Sequence, residues 1–115
     1  MPRPTAPRST QLATLSYYVL LALADGPAHG WAIVKRIREL TEGTANPSSG
    51  SLYLAMVRLE DEGLIAGAAA PAGEDERRHY YKLTAGGRRA ARDESRRLAR
   101  LVGRARALCL LEEPQ

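Results

Sequence analysis

Residues 48–65 read SSGSLYLAMVRLEDEGLI. Leu52, Ala55, Met56 and Leu59 recur at i, i+3, i+4 and i+7, the spacing of one apolar helix face. Ser48 stands where an N-cap is needed, with Asn46 as the alternative, and the run Glu60-Asp61-Glu62-Gly63 ends the helix. Small residues at Ser48, Ser49, Gly50 and Ser51 let that helix start come close to a phosphate or a base edge. The amides and hydroxyls there favour an anion. Tyr53 falls away from the apolar stripe, so its hydroxyl can reach a phosphate, or its ring can pack at the domain edge. Arg58 either meets phosphate or pairs with Glu62 at i, i+4.

Upstream, Leu12, Leu15, Val19, Ala22 and Leu23 mark a first helix, capped by Ser9 or Thr10 and stopped at Asp25-Gly26-Pro27. A second helix is expected from near Ala28, with Ile33, Val34, Ile37 and Leu40 inward and Gly43 at its end. Its Lys35 and Arg36 are candidate phosphate contacts, or solvated surface charges. Residues 1–8, with three prolines, read as a disordered arm whose Arg3 and Arg8 add charge.

Downstream, two strands are expected at about 64–69 and 79–83. The polar loop between them makes a hairpin. Arg77 and Arg78 are its candidate DNA contacts. His79 joins them or sits half-buried, and Glu74, Asp75 and Glu76 repel phosphate and can pair with the arginines. Thr84 caps a long last helix, expected at about 85–111. Helix, helix, helix, hairpin, helix is the order of a winged helix-turn-helix. The fold class is therefore mainly α with a small β-hairpin. The chain divides into an arm (1–8), a winged DNA-binding domain (9–83) and a C-terminal dimerisation helix (84–111).

Charge agrees with that plan. The 115 residues carry 17 Lys and Arg against 13 Asp and Glu, a net +4. Between Glu74 and Arg106 there are eleven basic and five acidic residues, a net +6, so the excess is concentrated where a polyanion would be met. On the last helix, Arg88, Arg92, Arg96, Arg100 and Arg104 repeat every four residues, with Asp93–Arg97 expected to pair. On another side lie Leu98, Leu101, Val102, Ala105 and Leu108, more apolar surface than so small a domain covers by itself. A twofold homodimer would cover it and set two recognition helices about 34 Å apart for a palindromic site.

Three stretches, PAHGWAIVKRI, SSGSLYLAMVRLEDEGLI and RRHYYKLTAGG, occur in this order. Together they resemble the PadR family of bacterial transcriptional regulators in its short form, over roughly residues 12–111. Gly50-Ser51-Leu52-Tyr53 and Tyr80-Tyr81-Lys82-Leu83-Thr84 are the most specific pieces. The resemblance implies a dimeric winged-helix regulator that binds operator DNA, usually as a repressor, with a DNA-contacting tyrosine at Tyr53. Leu54 and Val57 depart from the family's pattern, which carries a proline and a basic residue there. These two apolar side chains would meet thymine methyl groups or pack against the wing. Some members respond to aromatic or cationic small molecules through a tryptophan on the last helix. Here the sole tryptophan, Trp31, is on the second helix and is expected in the core, so an effector is left unidentified.

Other function classes fare less well. The two histidines, His29 and His79, are far apart, and no motif supplies a metal site, a phosphate loop or a nucleophile, so neither enzyme nor cofactor is expected. No apolar run approaches the roughly 20 residues of a membrane span. MPRPTAPR lacks the apolar stretch of a signal peptide, and the lone Cys109 forms no internal disulfide, so a cytoplasmic location is expected. Cys109 itself reads as a packing residue near the dimer seam. A winged helix used only for protein contact remains the alternative.

Overall fold

Gly26, at φ +146°, turns the chain out of its first helix into a segment too short to be a helix of its own. The computed structural model describes residues 12–112. In it, α1 (Thr14–Leu23) is followed by a two-residue strand β1 (Ala28–His29), then α2 (Gly30–Leu40), α3 (Ser49–Asp61), β2 (Ile65–Ala68), β3 (Tyr80–Leu83) and α4 (Ala85–Ala107). The arm at 1–8, Ser9 and Thr10 lie outside the described residues, but α1 begins at Thr14 with Ala13 at its N-cap, so neither Ser9 nor Thr10 caps it as expected.

The expected order of three helices, a hairpin and a last helix holds, with one addition to the sheet. Its order is β1-β3-β2, antiparallel throughout, so the hairpin has a third strand. Ala28 pairs with Tyr81 and His29 with Tyr80. The second helix therefore starts two residues later than expected. His29, in extended conformation, caps it through Nδ1, which accepts the Ala32 N–H at 3.2 Å.

Val19, Leu20 and Leu23 of α1, Ile33 and Ile37 of α2, Leu59 of α3 and Ile65 of β2 are fully buried. Leu52 and Met56 join them, so the stripe read from residues 48–65 faces the core. Leu40, expected inward, is exposed at the last residue of α2. Arg36 also departs from expectation. One terminal nitrogen of its guanidinium donates to the carbonyls of Ala22 (2.8 Å) and Gly26 (3.0 Å). Carbonyls at a helix C-terminus have no partner inside the helix and carry partial negative charge, so they hold a cation well. This ties α2 to the end of α1 and commits Arg36 within the fold.

Three helices close with the same hydrogen-bond pair at their C-termini. In α3, Gly63 (φ +76°) donates to Glu60 O and Leu64 to Leu59 O. In α2 the left-handed position is taken by Glu42 (φ 51°), and in α4 by Cys109 (φ 61°). Leu110 donates back to Ala105 O at 2.8 Å, which completes the motif. The last helix thus ends at Ala107, four residues short of its expected end, and Leu108 and Cys109 lie beyond it.

Thr84 fixes where α4 begins. Its Oγ1 accepts the Gly87 N–H at 2.9 Å, and its hydroxyl donates to Gly63 O at 2.7 Å. The Tyr17 hydroxyl lies 2.8 Å from Ser95 Oγ, whose own proton goes to Ala91 O, so Tyr17 is the donor between α1 and α4. Glu94 is only 6% exposed, and the Arg97 guanidinium grips it with both ends (2.7 and 2.8 Å). Arg97 therefore pairs with Glu94, not Asp93. Asp93 lies 3.6 Å from Arg96 on the exposed side.

Candidate nucleic-acid interface

Ser48 begins α3 in extended conformation (ψ 161°) and caps it. Its Oγ accepts the Ser51 N–H at 3.1 Å and donates to Ser51 Oγ at 3.0 Å. The first intrahelical bond runs from Leu52 N–H to Ser48 O, so the amides of Ser49 and Gly50 precede the ladder. Ser48 to Ser51 are all exposed, and nothing lies within 4 Å of a Cβ position on Gly50. A phosphate can approach this turn closely.

One turn further, Tyr53 is 66% exposed, and Leu54, Val57 and Arg58 are exposed beside it. These four sit opposite the buried Leu52, Met56 and Leu59, so one face of α3 is anchored and the other is open.

The hairpin loop joins this face through β3. Tyr81, half-buried, lies electrostatically close to Glu60 and Tyr53. Burial first, then those two neighbours, push its phenol pKa up. His79, two residues earlier on the same side of the strand, stacks on the Tyr81 ring (centroids 4.5 Å apart, planes at 20°). It is exposed, not half-buried. The Tyr81–His79 pair was not singled out from sequence, although strand alternation alone places positions 79 and 81 together.

At the loop, the Arg77 side chain is 90% exposed. Asp75 gathers both arginines. It accepts from the Arg77 backbone N–H (2.9 Å) and Nε (3.1 Å), and Arg78 Nε stands 3.8 Å away. Hydrogen bonds from Arg77 hold the Asp75 carboxyl below its ordinary pKa. The wing therefore carries its cations partly neutralised by its own acid.

On α2, Lys35 is exposed while Arg36 is committed to carbonyls. Trp31 corrects the sequence reading most sharply: it is 63% exposed, not core. Along α4, Leu98 and Ala105 are half-buried and Leu101 and Val102 are exposed, with Leu101 at 53%, and Leu108 just past its end is exposed too. Among the described residues no group of His, Cys, Asp and Glu is placed to hold a metal ion. No helix there is long and apolar enough to cross a membrane.

Comparison with known proteins gives this geometry a context. A curated relative, an uncharacterized 37.1 kDa protein in transposon TN4556 of Streptomyces fradiae, is 42% identical over 86 residues. That alignment covers 75% of this chain but only 23% of the relative, so this chain spans about a quarter of its length. A PadR family transcription regulator from hypervirulent Clostridium difficile superposes with a TM-score of 0.72 over 84% of this chain and 99% of that one, at 21% identity. Bacillus subtilis PadR, solved in complex with operator DNA, superposes with a TM-score of 0.59 at 25% identity, over 70% of this chain and 46% of that one. The transcriptional regulator PadR-like family matches residues 19–93, from α1 to the first half of α4. Four helices, a winged sheet and that match together show that the chain belongs to the PadR-like family of transcriptional regulators.

Proposed function

We propose that this chain is a DNA-binding repressor that works as a homodimer on a palindromic operator in the cytoplasm. The observation that carries the reading is the open face of α3: a serine-capped start with approachable amides, followed by exposed Tyr53, Leu54, Val57 and Arg58. Ser48, Ser49, Gly50 and Ser51 receive phosphate, and Tyr53 and Arg58 hold the backbone. Leu54 and Val57 meet apolar base edges in the major groove. Arg77 and Arg78 contact the adjoining backbone from the wing. Leu98, Leu101, Val102, Ala105 and Leu108 form the seam between two copies, since α4 exposes most of that apolar surface.

Selection of bound sites from a random duplex pool tests the reading. An enriched palindrome is the expected result. Absence of any enriched sequence overturns it. Leu101→Glu, measured by sedimentation, tests the seam: the variant is expected as a monomer where the wild type is a dimer, and a monomeric wild type overturns that part.

A further inference from the structure

Trp31 lies in the first turn of α2 with most of its ring in solvent. It does not stand alone. The His29 ring stacks on it, centroids 6.4 Å apart and planes at 24°. Lys35, one helical turn on, holds its Nζ 6.0 Å from the indole centroid. His29 also meets Tyr80 edge-on at 5.4 Å. Tyr80 is also the strand partner of His29, and it follows Arg78 by two residues. This register places the start of α2 at the end of the sheet from which the wing loop leaves. Arg78, Glu74 and Asp75 of that loop all act electrostatically on His29. An exposed indole and a lysine thus stand beside the root of the wing, within electrostatic reach of Arg78 and of the acids that partly neutralise it.

We propose that Trp31 and Lys35 seat one strand's sugar–phosphate backbone beside the groove that α3 enters. The indole Nε1–H donates to a phosphate oxygen while the ring lies against deoxyribose. Lys35 supplies the charge, and His29, gripping the α2 start through its cap bond, holds the indole in place. Charge complementarity and continuity with the wing select a nucleic acid backbone as the occupant. A purely apolar partner would leave the Lys35 ammonium without an anion. The proposal rests on the DNA-binding reading above and adds a contact outside α3 and the wing.

Trp31 is the chain's sole tryptophan, so its emission reports this spot alone. The test titrates a fluorescein-labelled random-sequence duplex at low salt, following anisotropy of the label and emission of Trp31 in the same samples. Binding is expected to change the Trp31 emission. W31A should bind about tenfold more weakly, with an unchanged thermal melt. K35A should reduce the slope of log affinity against log salt by about 0.9. Duplex binding without a change in Trp31 emission overturns the proposal, as does either variant behaving as wild type, while the DNA-binding reading stands. If the wild type leaves the label's anisotropy unmoved at low salt, the DNA-binding reading itself fails.

Discussion

A Cβ added to Gly87 would collide with the carbonyl oxygen of Leu64, and would sit 2.8 Å from Leu83 Cδ1. That oxygen already accepts the Thr84 N–H at 3.2 Å, so it has no room to retreat. Gly87→Ala is therefore expected to destabilise the fold by about 3 kcal/mol or more, lowering the melting temperature by roughly 10 °C or more. Gly86→Ala is the control, since its Cβ would meet nothing closer than 3.6 Å. Equal melting of the two variants would contradict the close approach.

Tyr53 projects from the open face of α3 and is absent from the buried core, so its removal costs the core little. Tyr53→Ala is expected to weaken DNA binding about tenfold, the worth of one hydrogen bond to a charged group, with the thermal melt unchanged. A large fall in melting temperature would make its ring a packing element instead.

Asp75 holds both wing arginines. Replacing it with alanine removes a negative charge and releases two cations. Asp75→Ala is expected to tighten binding to random duplex several-fold and to steepen its salt dependence, read by titration at several salt concentrations. Weaker binding would mean that Asp75 shapes the loop for contact more than it competes with phosphate.

Glu94 predicts an acid limb of stability. Its bonds from Arg97 hold the carboxyl below the ordinary glutamate range. With the folded pKa below the unfolded one, the contribution is complete above the unfolded value of about 4.3. It is lost as pH falls through the depressed folded value. Denaturant melts taken downward from pH 6 should show this loss. In Arg97→Ala, which is expected to be less stable at neutral pH because it leaves the buried Glu94 carboxylate without its partner, the acid limb should flatten. An unchanged acid limb would place the sensitive carboxyl elsewhere.

The parts of the fold written in local periodicity were legible. Leu52, Met56 and Leu59 announce the buried face of α3, and Ser48 its start, because spacing and capping are properties of a few neighbouring residues. β1 was not legible: two residues carry no period, and their partners, Tyr80 and Tyr81, are distant in sequence. The end of α4 was hidden for another reason. Cys109 takes the left-handed position that glycine usually marks, so no residue type signalled the stop. Trp31 was misjudged on residue type, although helical phase argued otherwise. Ile33 and Ile37 define the buried side of α2, and a residue two before Ile33 lies about 200° around the helix from it. Arg36 looked like a surface cation because its acceptors, the carbonyls of Ala22 and Gly26, exist only once α1 and α2 are packed.

The bond pair at Thr84 leaves no slack between the reading end of the molecule and its long tail. One hydroxyl grips the residue that closes α3 and accepts from the first turn of α4. A rotation of the tail about its origin must carry the C-terminal end of α3 with it. In the proposed dimer, the angle at which two tails cross would accordingly set the tilt of each α3, with the Thr84 bonds resisting any hinge between them.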